Sequence, residues 1–118
     1  FTEFFHKFFG VGTLARPVSS ELLEWARYVS MQASLKATLE CLKSFSTTDF
    51  RADLASFKVP TLIIHGTEDK TVPIEASARL AAQGIAQSLL IEYEGAAHGL
   101  FATEKERLSR DLIDFLRQ

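Results

Sequence analysis

The sequence is short of several things, and each scarcity closes off a class of protein. It has one cysteine, Cys41, in 118 residues, so no internal disulfide staples it. Cys41 sits among apolar residues in a helical stretch, where a buried free thiol in a reducing, cytoplasmic setting is expected rather than a nucleophile. No run of eighteen apolar residues occurs, and no basic region followed by an apolar stretch opens the chain, so neither a membrane span nor a signal peptide is indicated. Charge of one sign is also missing. Thirteen Lys and Arg stand against fifteen Asp and Glu, interspersed without blocks, which gives a solvated surface and no footprint for nucleic acid or a membrane. Proline is scarce too: residues 1–46 contain only Pro17, which suits helical text.

What is present is 47% hydrophobic and 24% charged, the balance of an ordinary globular domain. Ten phenylalanines include a dense opening cluster of Phe1, Phe4, Phe5, Phe8 and Phe9. A chain that opens on Phe1 in place of methionine, directly into apolar aromatics, reads as a piece of something longer.

The text falls into two halves. Residues 1–47 are helical in grammar. A first helix is expected over residues 2–9, with Phe1, Phe5 and Phe8, or Phe4 and Phe8, on a shared face and Gly10 and Gly12 ending it. Pro17 and Ser19 or Ser20 introduce a second, in which Glu21 and Glu24 suit the positive end of the helix dipole and Leu22, Trp25 and Val29 form a stripe. The apolar phase then changes to Met31, Leu35, Leu39 and Leu42. That predicts a break near residues 30–34 and a third helix ending near Phe45.

Residues 48–118 change period. Val59 to His65 is a short, nearly continuous apolar run ended by Gly66, as for a strand buried on both faces of a parallel sheet. A helix is expected over about residues 74–83, opened by Pro73 and closed by Gly84. A second strand follows at residues 89–93, and a last helix at 103–117. Thr103-Glu104-Lys105-Glu106 fits a capping box there, with Leu108, Leu112, Phe115 and Leu116 facing inward. Strand, helix, strand, helix at this spacing implies an α/β fold with parallel crossovers.

In such sheets catalytic groups gather on loops beyond the carboxyl ends of strands. Asp69 lies in the loop after the first strand, and His98 in the loop Gly95-Ala96-Ala97-His98-Gly99-Leu100 after the second. An acid and a histidine at the same end of neighbouring strands are what activation of a nucleophile requires. The carboxylate fixes the imidazole tautomer and stabilises the imidazolium. Taken singly, Asp69 reads as a turn residue, Glu68 as a loop charge and His65 as a satisfied structural histidine. A metal site built from His65, Glu68, Asp69 and His98 is the rival, but no compact His-x-x-x-His spacing supports it. No Gly-x-Ser-x-Gly occurs, and serines such as Ser34 and Ser77 lack the flanking glycines of a nucleophile elbow.

The stretch Thr48-Asp49-Phe50-Arg51-Ala52-Asp53-Leu54 running into Phe57-Lys58-Val59-Pro60-Thr61-Leu62-Ile63-Ile64-His65-Gly66 resembles the cofactor-free haloperoxidase and arylesterase group of α/β-hydrolase-fold serine hydrolases. So does the loop around His98, with Ala97 where the group often has proline. Met31 to Cys41 resembles the group's cap region. The resemblance implies the C-terminal portion of that fold: a helical cap over residues 1–47, then strand-helix-strand-helix of a parallel sheet over 48–118. It implies an esterase of small esters with a perhydrolase and haloperoxidase side activity, using no haem, metal or other cofactor. The nucleophilic serine precedes the acid and histidine in that family's chain order, so Asp69 and His98 would be the triad members carried here. By position in the family, Phe4 and Phe8 would line the acyl pocket, and Thr71 and Val72 would stand beside the triad. A small ester or carboxylic acid is the implied substrate, and a serine-bearing N-terminal half the implied partner. The alternative is a non-catalytic fragment. With two of eight strands, the sheet has an open edge where a sixth strand would lie, a template for self-association.

Overall fold

The computed structural model describes residues 2–118, so the expected packing of Phe1 lies outside the described residues. Three helices open the chain: α1 (Thr2–Phe9), α2 (Ser20–Met31) and α3 (Leu35–Thr47). A 3-10 turn (Arg51–Ser56) leads into β1 (Thr61–Gly66). A second 3-10 turn (Ile74–Ala76) and α4 (Ala78–Gly84) connect to β2 (Ser88–Tyr93), and α5 (Leu100–Thr103) and α6 (Lys105–Leu116) complete the chain.

The helix limits follow local chemistry. Gly10 takes φ +69°, the left-handed conformation that ends α1. The Ser19 hydroxyl accepts from the Leu22 amide at 3.2 Å, and that of Ser34 from the Ala37 amide at 3.4 Å, capping α2 and α3. The Glu21 carboxyl is held below its ordinary value by its own backbone amide and by the hydroxyls of Ser19 and Ser20.

The expected capping box at Thr103 does not form. Leu100–Thr103 is already a helical turn, Glu104 takes the N-cap position of α6 without a side-chain cap bond, and the buried Thr103 hydroxyl has no partner. The helix expected over residues 74–83 is likewise broken, because Ser77 adopts a non-helical φ of −140° between the 3-10 turn and α4.

β1 and β2 pair in parallel, with Thr61 opposite Ser88 and Gly66 opposite Tyr93. Thr61 N–H donates to Gln87 O at 2.8 Å and Thr67 N–H to Tyr93 O at 3.0 Å. Alternate positions therefore turn toward β2, and the backbone groups of Leu62 and Ile64 face the unpaired edge. Burial of β1 on both faces was expected; Thr61–His65 are half-buried instead, since only one strand and the short α4 lie against them.

The core is small: Phe5, Phe9, Ile74, Ala78, Ile85, Tyr93, Ala96 and Ala97. Tyr93 anchors α6 to the sheet. Its hydroxyl donates to Asp111 Oδ2 at 2.5 Å, and the Arg107 guanidinium stacks 3.8 Å over its ring. Burial pushes the Tyr93 phenol up, and the hydrogen bond to the Asp111 carboxylate adds to it.

By contrast, α2 and α3 have no buried residue, and Leu35, Leu39, Leu42 and Phe45 are exposed. Cys41, expected to be buried, is exposed on the same helix because nothing covers that face. No helix among the described residues is long and apolar enough to cross a membrane.

Candidate active site

The ends of β1 and β2 bring Asp69 and His98 together. Gly66 makes this possible: a Cβ there would meet the Ala96 carbonyl oxygen at 2.2 Å, so only glycine lets the strand end lie against the histidine loop. That approach is tied by Glu68 N–H donating to Ala96 O at 2.9 Å and Gly95 N–H to the Thr67 hydroxyl at 2.9 Å.

Asp69 is 5% exposed, the one buried charged side chain among the described residues. Every carboxylate oxygen is engaged. Oδ1 accepts from the amides of Thr71 and Val72, both at 2.8 Å. Oδ2 accepts from His98 Nδ1–H at 2.6 Å and lies 3.1 Å from His65 Nε2. A buried carboxylate with this many donors is compensated in its ionised form. Because Nδ1 is the nitrogen engaged, Nε2 is left on the far side of the imidazole to exchange a proton.

His98 is clamped from the other side by α1. Phe8 meets its ring edge-on at a centroid distance of 4.7 Å, the Phe8 carbonyl accepts from Gly99 N–H at 2.8 Å, and the Phe9 ring packs where a Gly99 Cβ would stand. A cavity of about 210 Å³ opens at the pair, lined by Ile64, His65, Gly66, Asp69, His98, Leu100 and Phe101.

Of the other expected residues, Phe8 touches the histidine, while Phe4 is half-exposed and packs on Phe5 and Phe8. Thr71 and Val72 act through backbone amides, and none of these four lines the cavity. The walls it does have, Ile64, Leu100 and Phe101, were not singled out in the sequence; the signal was their position beside Gly66 and His98. No group of three His, Cys, Asp or Glu side chains among the described residues is disposed to hold a metal ion.

A family model described as serine aminopeptidase, S33, matches residues 16–106, more than half of the chain. The chain belongs to this family of α/β hydrolases. It is 40% identical over 93 residues to the non-heme chloroperoxidase CPO-A1 of Kitasatospora aureofaciens, covering 77% of this chain and 34% of that protein. It is 35% identical over 122 residues to the bifunctional esterase/perhydrolase DCH of Acinetobacter calcoaceticus, covering 98% and 44%. The crystal structure of bromoperoxidase from Bacillus anthracis superposes with a TM-score of 0.91 at 40% identity, over 99% of this chain and 42% of that one. The chain thus spans about two fifths of the length of these relatives, and its fold is that of a C-terminal portion of theirs.

Proposed function

We propose that Asp69 and His98 are the acid and the histidine of a Ser-His-Asp triad whose serine lies outside these 118 residues, in an esterase of small esters with a perhydrolase side activity. One observation carries this reading: the 2.6 Å contact of His98 Nδ1 with the buried carboxylate of Asp69, at the carboxyl ends of two paired strands. The relatives, which include esterases and haloperoxidases by name, support the reaction class.

In that reaction His98 Nε2 takes the proton of the serine as its oxygen attacks the ester carbonyl, and returns it to the departing alcohol. His98 next takes a proton from water or hydrogen peroxide. That oxygen attacks the acyl-serine, releasing acid or peracid and restoring the serine. Asp69 holds His98 in the productive tautomer throughout. The substrate is a small ester or carboxylic acid, and residues 2–47 act as the cap over the remaining 48–118. A cytoplasmic setting accords with the lone exposed thiol of Cys41, which stays reduced there.

The test is hydrolysis of a short-chain aryl ester. The chain alone is expected to be inactive. Supplied with the serine-bearing half, it is expected to hydrolyse the ester, and His98→Ala to cut the rate by at least about 10³-fold. Hydrolysis by the chain alone, unaffected by His98→Ala, would sink the reading.

A second reading has its own support in the open edge of β1 and the bare apolar side chains of α3. In it, the chain is non-catalytic and self-associates by continuing the sheet. A monomeric mass on size exclusion rejects that reading; an inactive dimer supports it.

A further inference from the structure

Asp69 and His98 are fixed in different ways. Asp69 is held by its own loop, where Oδ1 takes the amides of Thr71 and Val72. His98 stands between Ala97 and Gly99, which have no side chain long enough to pack on its ring. Among the described residues the ring makes one hydrogen bond, from Nδ1 to Asp69 Oδ2 at 2.6 Å. One bond fixes a distance and leaves the ring plane free to turn about it. The χ2 torsion of a histidine is broad, so it does not choose the plane either.

Phe8 supplies the missing constraint from the other end of the chain. Its ring meets the imidazole at 4.7 Å between centroids with the planes 65° apart, an edge-to-face pair that a turned imidazole would break. Phe8 is itself tied to the segment that follows His98: its carbonyl accepts from Gly99 N–H at 2.8 Å, and its ring packs on Phe101 at 6.2 Å. Just beyond α1, Gly10 comes so near that a Cβ on it would stand 2.7 Å from the Ala97 Cβ. Farther on, Arg16 Nε lies 3.2 Å from Glu104 Oε1, at the start of α6. Residues 8–16 therefore grip the histidine loop before, at and after His98.

We propose that Phe8 is a positioning residue for His98: it sets the plane of the imidazole on the Asp69 carboxylate, and with it the direction of Nε2. The use of that direction in the reaction rests on the triad reading above. Phe8 does not line the cavity at the pair, so it acts on the histidine and not on the substrate. Core packing alone does not account for it. The buried rings of α1 are Phe5 and Phe9, whereas Phe8 is half-buried and set against an imidazole. A side chain whose rotamer is locked by neighbouring packing holds a reacting atom more narrowly than one hydrogen bond can.

The test is NMR of the intact protein, reading the Phe8–His98 ring contact and the solvent exchange of the His98 Nδ1 proton. Cross-relaxation between the two sets of ring protons is expected in the unmodified protein; its absence overturns the proposal, and this measurement needs no variant to fold. In Phe8→Leu, which stays apolar but loses the ring, exchange of the Nδ1 proton is expected to speed up about fivefold. Phe8→Tyr, which keeps the ring, is expected to restore it to within about twofold. Phe5→Leu is the comparison for packing, since Phe5 is more buried and pairs with Phe8 and Phe9. It is expected to lower the melting temperature more than Phe8→Leu does, yet to speed the exchange less than about twofold. Unchanged exchange in Phe8→Leu, or equal acceleration in Phe5→Leu, overturns the proposal. If the exchange behaves as expected but no ester is hydrolysed with the serine-bearing half supplied, the triad reading fails and the hold of Phe8 on His98 stands.

Discussion

Residues 2–47 and 48–118 of this chain are held by different forces. In the first stretch, helices are closed by their own caps at Ser19, Ser34 and Gly10, yet α2 and α3 bury nothing. In the second, short and irregular elements are held by contacts distant in sequence: Asp69 with His98, Tyr93 with Asp111, Arg79 with Glu92. Local hydrogen bonds are enough to shape a helix, but an acid and a histidine are brought to 2.6 Å only by packing. The exception proves instructive, since α1 packs Phe5 and Phe9 and is the helix that touches the site.

This contrast can be broken most sharply at Gly66. Gly66→Ala puts a methyl into the Ala96 carbonyl, and both the Asp69–His98 bond and the fold of residues 48–118 are expected to be lost while α2 and α3 keep their helicity. Circular dichroism reads the helices of the first stretch, and the nitrogen NMR signals of the His98 ring, which report its bond to Asp69, read the second. Tyr93→Phe is milder: it removes the bond to Asp111, and denaturant unfolding is expected to show a loss of about 1.5–3 kcal/mol.

Ser34→Ala removes the cap of α3 and is expected to lower the helicity of that segment, at a cost of about 1 kcal/mol. Acid adds a finer distinction. Glu92 is held below its ordinary value of 4.5 by Arg79, so its contribution to stability is complete above that value and is lost as pH falls through the lowered one. Arg79→Met is expected to flatten the acid side of the stability profile measured by thermal unfolding. Leu39→Ser should matter least, within about 0.5 kcal/mol in the chain by itself, because the side chain is already exposed. A large loss there would show that a partner covers α3.

Much of this was legible beforehand. The limits of α1 and the breaks around α2 and α3 follow from Gly10, Ser19 and Ser34, whose chemistry acts within four residues. The strands follow from the apolar run before Gly66 and from Leu89 to Tyr93. Asp69 and His98 stood out by their loops and their order. The Thr103 capping box misled because Leu100 to Thr103 winds into a turn beneath the Phe8 and Phe9 rings, a contact from the far end of the chain. Cys41 misled because apolar neighbours along a helix do not say whether that face is covered.

The sequence by itself determined the opening helices, which segments are strands, and which acid and histidine stand on loops at the strand ends, since caps, periodicity and loop position are written within a few residues of each other. Only the tertiary structure decided that the Thr71 and Val72 amides bond Asp69, that the His65 ring nitrogen bonds the Val72 carbonyl, and that Phe8 packs on His98. Those contacts depend on angles and distances between segments up to some ninety residues apart (Phe8 to His98), which no local pattern encodes.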